Sequence, residues 1–118
     1  MKIATHDRSG VTICSIKGEI MIDSIILIRN LFRGLIKRGI NRVVIDLSEV
    51  DYIDSMGLAA IAGFSKSISS LEGDLRISDV PPKIESLFRI TKLDRILSIC
   101  PTQEEALAQM TGGHYEQR

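Results

Sequence analysis

The stretch Val43-Val44-Ile45-Asp46-Leu47 most constrains what this chain can fold into. In an extended strand, neighbouring side chains point to opposite sides, so an apolar run of this kind needs cover on both faces. Such a strand belongs to the middle of a parallel sheet with helices packed on it. The preceding sequence supplies one helix. Ile25, Ile28, Phe32, Leu35 and Ile36 recur at helical spacing, Leu31 broadens the stripe, and together they predict a helix over 24–38. Asp23 or Ser24 is placed to accept first-turn amide protons, and Lys37-Arg38-Gly39 offers a cationic last turn and a left-handed stop. Strand, helix, strand in this order implies a right-handed crossover.

The rest of the chain fits the same plan. Lys2 to Asp7 and Val11 to Lys17 are β-rich segments separated by Arg8-Ser9-Gly10, which reads as an antiparallel hairpin with a permissive glycine in its turn. A second helix is predicted from Met56 to Leu71. Its Gly57, Ala59, Ala60, Ala62 and Gly63 allow close backbone approach, and Leu58, Ile61, Ile68 and Leu71 supply apolar contact. Glu72-Gly73-Asp74 ends it, and Leu75 to Ser78 reads as a fourth strand. Pro81-Pro82 opens a helix over 83–90, with proline where it is tolerated. Residues 95–100 read as a fifth, edge strand, and Thr102-Gln103-Glu104-Glu105 matches a capping box for a last helix through Met110. The expected fold is α/β, ordered ββαβαβαβα, with a mixed, mostly parallel sheet. It forms one domain over 1–111, followed by a flexible tail over 112–118.

Bulk properties narrow the function. The 118 residues suit a single domain, and the balance of 15 basic and 15 acidic side chains offers no global attraction for nucleic acid or anionic lipid. The longest aliphatic run, Ile25 to Ile28, falls far short of the roughly 20 residues a membrane span requires. The N-terminus lacks the apolar centre of a secretory signal, so a cytoplasmic protein without membrane insertion is expected. Cys14 and Cys100 allow a disulfide by number but read first as two reduced core thiols, and His6 and His114 lie near opposite ends without metal-ligand spacing. No metal or cofactor is expected.

Catalysis has little support. A serine nucleophile needs a base held by a third group, neither histidine is expected near Ser55, and Asp51-Tyr52-Ile53-Asp54-Ser55-Met56-Gly57 is not GxSxG. Asp46, Glu49, Asp51 and Asp54 cluster, but as strand, loop and cap residues. Both glycine-rich phosphate-binding patterns are absent. Arg29, Arg33 and Lys37, spaced i, i+4, i+8, form either a solvated helix face or a docking strip for an acidic partner. Ser55 itself has two compatible readings. Serine is a preferred helix N-cap, and Asp54 beside it favours the positive end of the helix. The same position, after a parallel strand, displays the hydroxyl at the edge where functional loops gather.

The segment VVIDLSEVDYIDSMGLAAI resembles the core signature of the STAS domain, shared by sulfate transporters and bacterial anti-sigma factor antagonists. IKGEIMIDS is similar to the family's GEL turn, and IESLFRITKLDRILSICPTQEEAL to its usual ending. The resemblance implies an anti-sigma factor antagonist that binds an anti-sigma factor with serine kinase activity and a histidine-kinase-like ATPase fold. The bound antagonist releases the sigma factor. Phosphorylation at the position matching Ser55 breaks the complex, and a phosphatase restores it. It also implies partner-binding residues in both turns: Met21, Ile22, Asp23 and Ser24 in one, and Asp54, Met56, Gly57 and Leu58 in the other. Met56 stands where the family often has a second serine or threonine, and Met21 where many members have aspartate. Two other roles share the fold: an accessory subunit of a lipid-transporting ATPase complex, and a scaffold or sensor-assembly subunit. Alone, a monomer or weak dimer is expected, with Ile20, Met21 and Ile22 as the apolar residues available for pairing.

Overall fold

A computed structural model describes the backbone of residues 1–116 and the side chains of residues 1–110. Five strands form one sheet in the order β1-β2-β3-β4-β5: Lys2–Arg8, Val11–Ile20, Arg42–Ile53, Asp74–Ser78 and Ser98–Cys100. β1 and β2 are the antiparallel hairpin, turned through Ser9 and Gly10, both with positive φ. The other neighbours pair in parallel. Four helices complete the fold: α1 Ile25–Lys37, α2 Ser55–Ser70, α3 Pro82–Ile90 and α4 Gln103–Glu116.

The run on β3 is covered on both faces. Val43, Ile45 and Leu47 join α1, α2 and α3 in the larger core, while Val44 packs with Val11, Ile13, Ala106, Leu107 and Met110 on the α4 side. Phe32 of α1 and Phe64 of α2 stack with ring centroids 3.9 Å apart and planes 7° from parallel. Gly39 ends α1 in the left-handed region, at φ +77°. After α2 it is Glu72 that turns left-handed. Gly73 is required for a different reason, since a Cβ there would lie 2.2 Å from the Asn41 carbonyl oxygen. Both cysteines are buried free thiols, and burial pushes the Cys14 thiol up to about 12.

Four local expectations change. β3 continues to Ile53 rather than ending near Ser48, because Val50 and Ile53 still turn inward beside β2 across two register shifts. The fifth strand is only Ser98–Cys100, since Lys92, with φ +63°, leads Leu93–Arg95 into a 3-10 turn. Leu71 follows the end of α2 and is 46% exposed rather than packed. The last helix starts as its capping motif requires, with the Glu105 amide donating to Thr102 Oγ1 at 3.1 Å. Its backbone then runs on to Glu116, past the expected end at Met110 and into the segment expected as tail.

Candidate functional site

β2 and β3 end side by side, with Ile20 paired to Ile53, and the chain leaves both strands on the same edge. Residues 21–24 and 54–58, distant in sequence, therefore meet. β4 pairs with β3 only as far as Asp46, so the last turns of β2 and β3 extend beyond it.

One side chain ties the two turns together. Asp54 Oδ1 accepts the Gly57 amide proton at 2.9 Å, capping α2, and Oδ2 accepts the Ile22 amide proton at 2.9 Å. The Asp54 amide donates to the Ile20 carbonyl at 3.0 Å. Gly57 lets the helix approach this closely: a Cβ there would sit 2.7 Å from both Ile20 Cγ2 and Ile53 Cγ1. On the other turn, Ile22–Ser24 forms a 3-10 turn. Ser24 Oγ donates to the Met21 carbonyl at 3.0 Å and accepts the Met21 amide at 3.3 Å.

Ser55 plays no part in this scaffold. The N-cap of α2 is Asp54, held in extended backbone at φ −96°, and Ser55 is already the first helical residue. Its side chain is exposed and makes no hydrogen bond among the described residues. The reading of Ser55 as cap is thus corrected. The neighbouring carboxylate has two acceptor oxygens and reaches both the helix amide and the facing turn, which one hydroxyl cannot do.

The remaining expected partner residues divide by burial. Ile22 and Asp23 are exposed, while Met21, Ser24, Asp54 and Met56 are half-buried. Gly57 and Leu58 are buried, so they support the corner and offer little surface to a partner. Ile20 is completely buried, which corrects its place among the apolar residues available for pairing; as the last residue of β2 its side chain turns into the core. Ile26 and Leu27, at 70% and 63% exposed, extend the apolar surface of Ile22 and were missed. The signal for them is the run Ile25-Ile26-Leu27-Ile28. Four successive residues wrap all the way around a helix, so two of them must face outward.

The corner is acidic. Asp23 and Asp51 are exposed beside Asp54, and none of the three forms an ion pair among the described residues. His6 lies on β1, two strands from β3, and the His114 side chain falls outside the described residues. Among the described residues no group of three or more His, Cys, Asp or Glu could hold a metal ion. Among the described residues no helix is long and apolar enough to cross a membrane.

The STAS domain family model matches residues 2–106, the hairpin through the start of α4. The chain belongs to the STAS domain family. A candidate anti-sigma factor antagonist of Thermotoga neapolitana is 36% identical to this STAS domain over 81 residues, covering 69% of this chain and 72% of that protein. The anti-sigma-B factor antagonist of Bacillus subtilis strain 168 is 31% identical over 90 residues, 76% of this chain and 82% of its own. The crystal structure of a candidate anti-sigma factor antagonist from Thermotoga maritima superimposes with a TM-score of 0.86 at 30% identity, covering 91% of this chain and 92% of that one. The expected family and α/β fold are both met.

Proposed function

We propose that this STAS protein is a non-enzymatic anti-sigma factor antagonist of the cytoplasm, switched by phosphorylation of Ser55. Its partner is an anti-sigma factor that is also a serine kinase. In the unmodified form Ile22, Asp23 and Met56 contact that partner, and the sigma factor is released. Phosphorylation ends the contact, and a phosphatase restores it. The names of the relatives support the regulatory class. One observation supports Ser55 as the switch: Asp54 performs the capping and strapping at this corner, leaving the adjacent exposed hydroxyl without a structural duty.

The physics suits a switch that leaves the fold alone. Phosphate adds about −1.5 to −2 charges and three acceptor oxygens. The Ser55 and Met56 amides, first in α2, have no acceptor among the described residues, and a helix N-terminus accommodates an anion. A docked partner meets a different situation. The corner already carries Asp23, Asp51 and Asp54, and like charges in a desolvated interface repel by several kcal/mol. A penalty of about 3 kcal/mol weakens binding roughly a hundredfold.

The decisive experiment captures the partner with Ser55→Ala as bait and identifies it. The expected catch is a histidine-kinase-like ATPase that transfers phosphate from ATP to the wild type and not to Ser55→Ala. Ser55→Asp should bind it about a hundredfold more weakly than wild type. Equal affinities of phosphorylated and unmodified protein in calorimetry refute the proposal.

A further inference from the structure

The cationic series on α1 lies outside the Ser55 corner. α1 and α2 together contain Arg29, Arg33, Lys37 and Lys66 and no carboxylate, in a chain that is neutral overall. All four are exposed, and none forms an ion pair among the described residues. By contrast, Arg8, Lys17, Arg76 and Arg89 each face a carboxylate within 4.0 Å, at 3.6, 3.7, 3.1 and 3.2 Å. Other cations, among them Lys83 and Arg95, are equally without an ion pair among the described residues; Arg29 and Arg33 differ from them in lining one groove together.

Between the two helices runs a groove of about 360 Å³. Its floor is the stacked pair Phe32 and Phe64, one wall carries Arg29 and Arg33, and the other is formed by Ala59 and Gly63. Gly63 has no reason to be glycine within this fold. A glycine inside a helix costs about 1 kcal/mol relative to alanine. At Gly57 and Gly73 a Cβ would collide with the protein, which explains those two. At Gly63 a Cβ meets nothing within 4 Å and φ is not left-handed. Gly34 of α1 is equally free of contacts, but only Gly63 lines the groove, and the missing side chain leaves that wall low.

We infer that the α1–α2 groove docks an acidic amphipathic helix of a protein partner. An apolar ridge of side chains packs on Ala59 and the half-buried Ile36, above the phenylalanine floor, as ridges pack into grooves between helices. Carboxylates flanking that ridge complement Arg29 and Arg33, whose planar guanidinium groups suit carboxylate pairing. A bilayer fits less well: the apolar floor is recessed, with Phe32 and Phe64 only 4% and 3% exposed, and the one exposed apolar side chain that lines the groove is the short Ala59. This assignment does not depend on phosphorylation. Ser55, Ala59 and Gly63 nevertheless share one face of α2, so an occupant of the groove ends beside the hydroxyl.

The test is an NMR titration of the full-length, isotope-labelled protein with a synthetic helical peptide of leucine and glutamate in amphipathic order. Shift changes should concentrate at Arg29, Arg33, Ala59 and Gly63, and affinity should fall as salt rises. A peptide with glutamine in place of glutamate should bind at least tenfold more weakly, as should the double variant Arg29→Glu, Arg33→Glu. Gly63→Leu, which changes no charge and enters open space, should also lose at least tenfold. Gly34→Leu is the control: it also enters open space but does not line the groove, and should bind as wild type. Full binding by Gly63→Leu would show attraction by charge alone and overturn the docking groove. Shifts centred elsewhere, or binding to phosphatidylglycerol vesicles and not to the peptide, also overturn it. Ser55→Ala should retain peptide binding, so failure of the phosphorylation switch and failure of the groove are read separately.

Discussion

α1 and α2 leave the same edge of the sheet, yet they begin in opposite ways. α2 starts held from both sides, with Asp54 bonded to its own third residue and to the facing turn, and with no room for a Cβ at Gly57 beside Ile20 and Ile53. α1 starts loosely. Its N-cap, Ser24, makes no side-chain bond to the helix and instead closes a 3-10 turn onto Met21, and the next residues expose Ile26 and Leu27. The difference separates two jobs. Under the proposed function, the rigid start would hold the Ser55 hydroxyl in a constant place, whereas the looser apolar start would offer contact area to the partner.

Substitutions along this edge can break or sharpen that contrast. Gly57→Ala should be the most damaging, at about 3 kcal/mol in chemical denaturation, because the added methyl meets two branched side chains and the Ile20 carbonyl oxygen 3.0 Å away. A loss below about 1 kcal/mol would mean that the α2 corner yields and is not rigid. Asp54→Ala removes the cap and the strap together and should cost about 2 kcal/mol, with faster amide exchange at Ile22 and Gly57. If exchange quickens at Gly57 alone, the two turns are not mechanically joined. Ser24→Ala should cost only about 0.5–1 kcal/mol, since it opens one local turn on the α1 side. Ser55→Ala should change stability by less than about 0.5 kcal/mol, because its hydroxyl makes no hydrogen bond among the described residues. A larger loss would assign Ser55 to the scaffold and erase the distinction between the two neighbouring residues.

Much of this was readable beforehand, for identifiable reasons. The burial of Val43 to Leu47 and the α1 stripe follow from periodicity, which needs no knowledge of distant residues. The end of β3 was harder. Glu49, Asp51 and Tyr52 are exposed around buried Val50, and a pattern spaced by register shifts resembles a loop more than a strand. Cap identity at Asp54-Ser55 was ambiguous because both residue types accept amide protons. The choice depended on the Ile22 amide, 32 positions away, which rewards a carboxylate with two free oxygens. The different reasons for Gly57, Gly63 and Gly73 were also hidden, because the glycines differ only in what stands opposite them.

The chain alone determined its strand and helix order, its two-sided central strand and the acid–hydroxyl–glycine series that opens α2, because these depend on side chains near one another in sequence. Tertiary structure alone decided that Asp54 would be bound and Ser55 left free. It also brought two carboxylate-free helices together as a cationic groove. Both outcomes depend on which distant groups meet at short range, and hydrogen bonds and charges act over a few ångströms of space, whatever the separation along the chain.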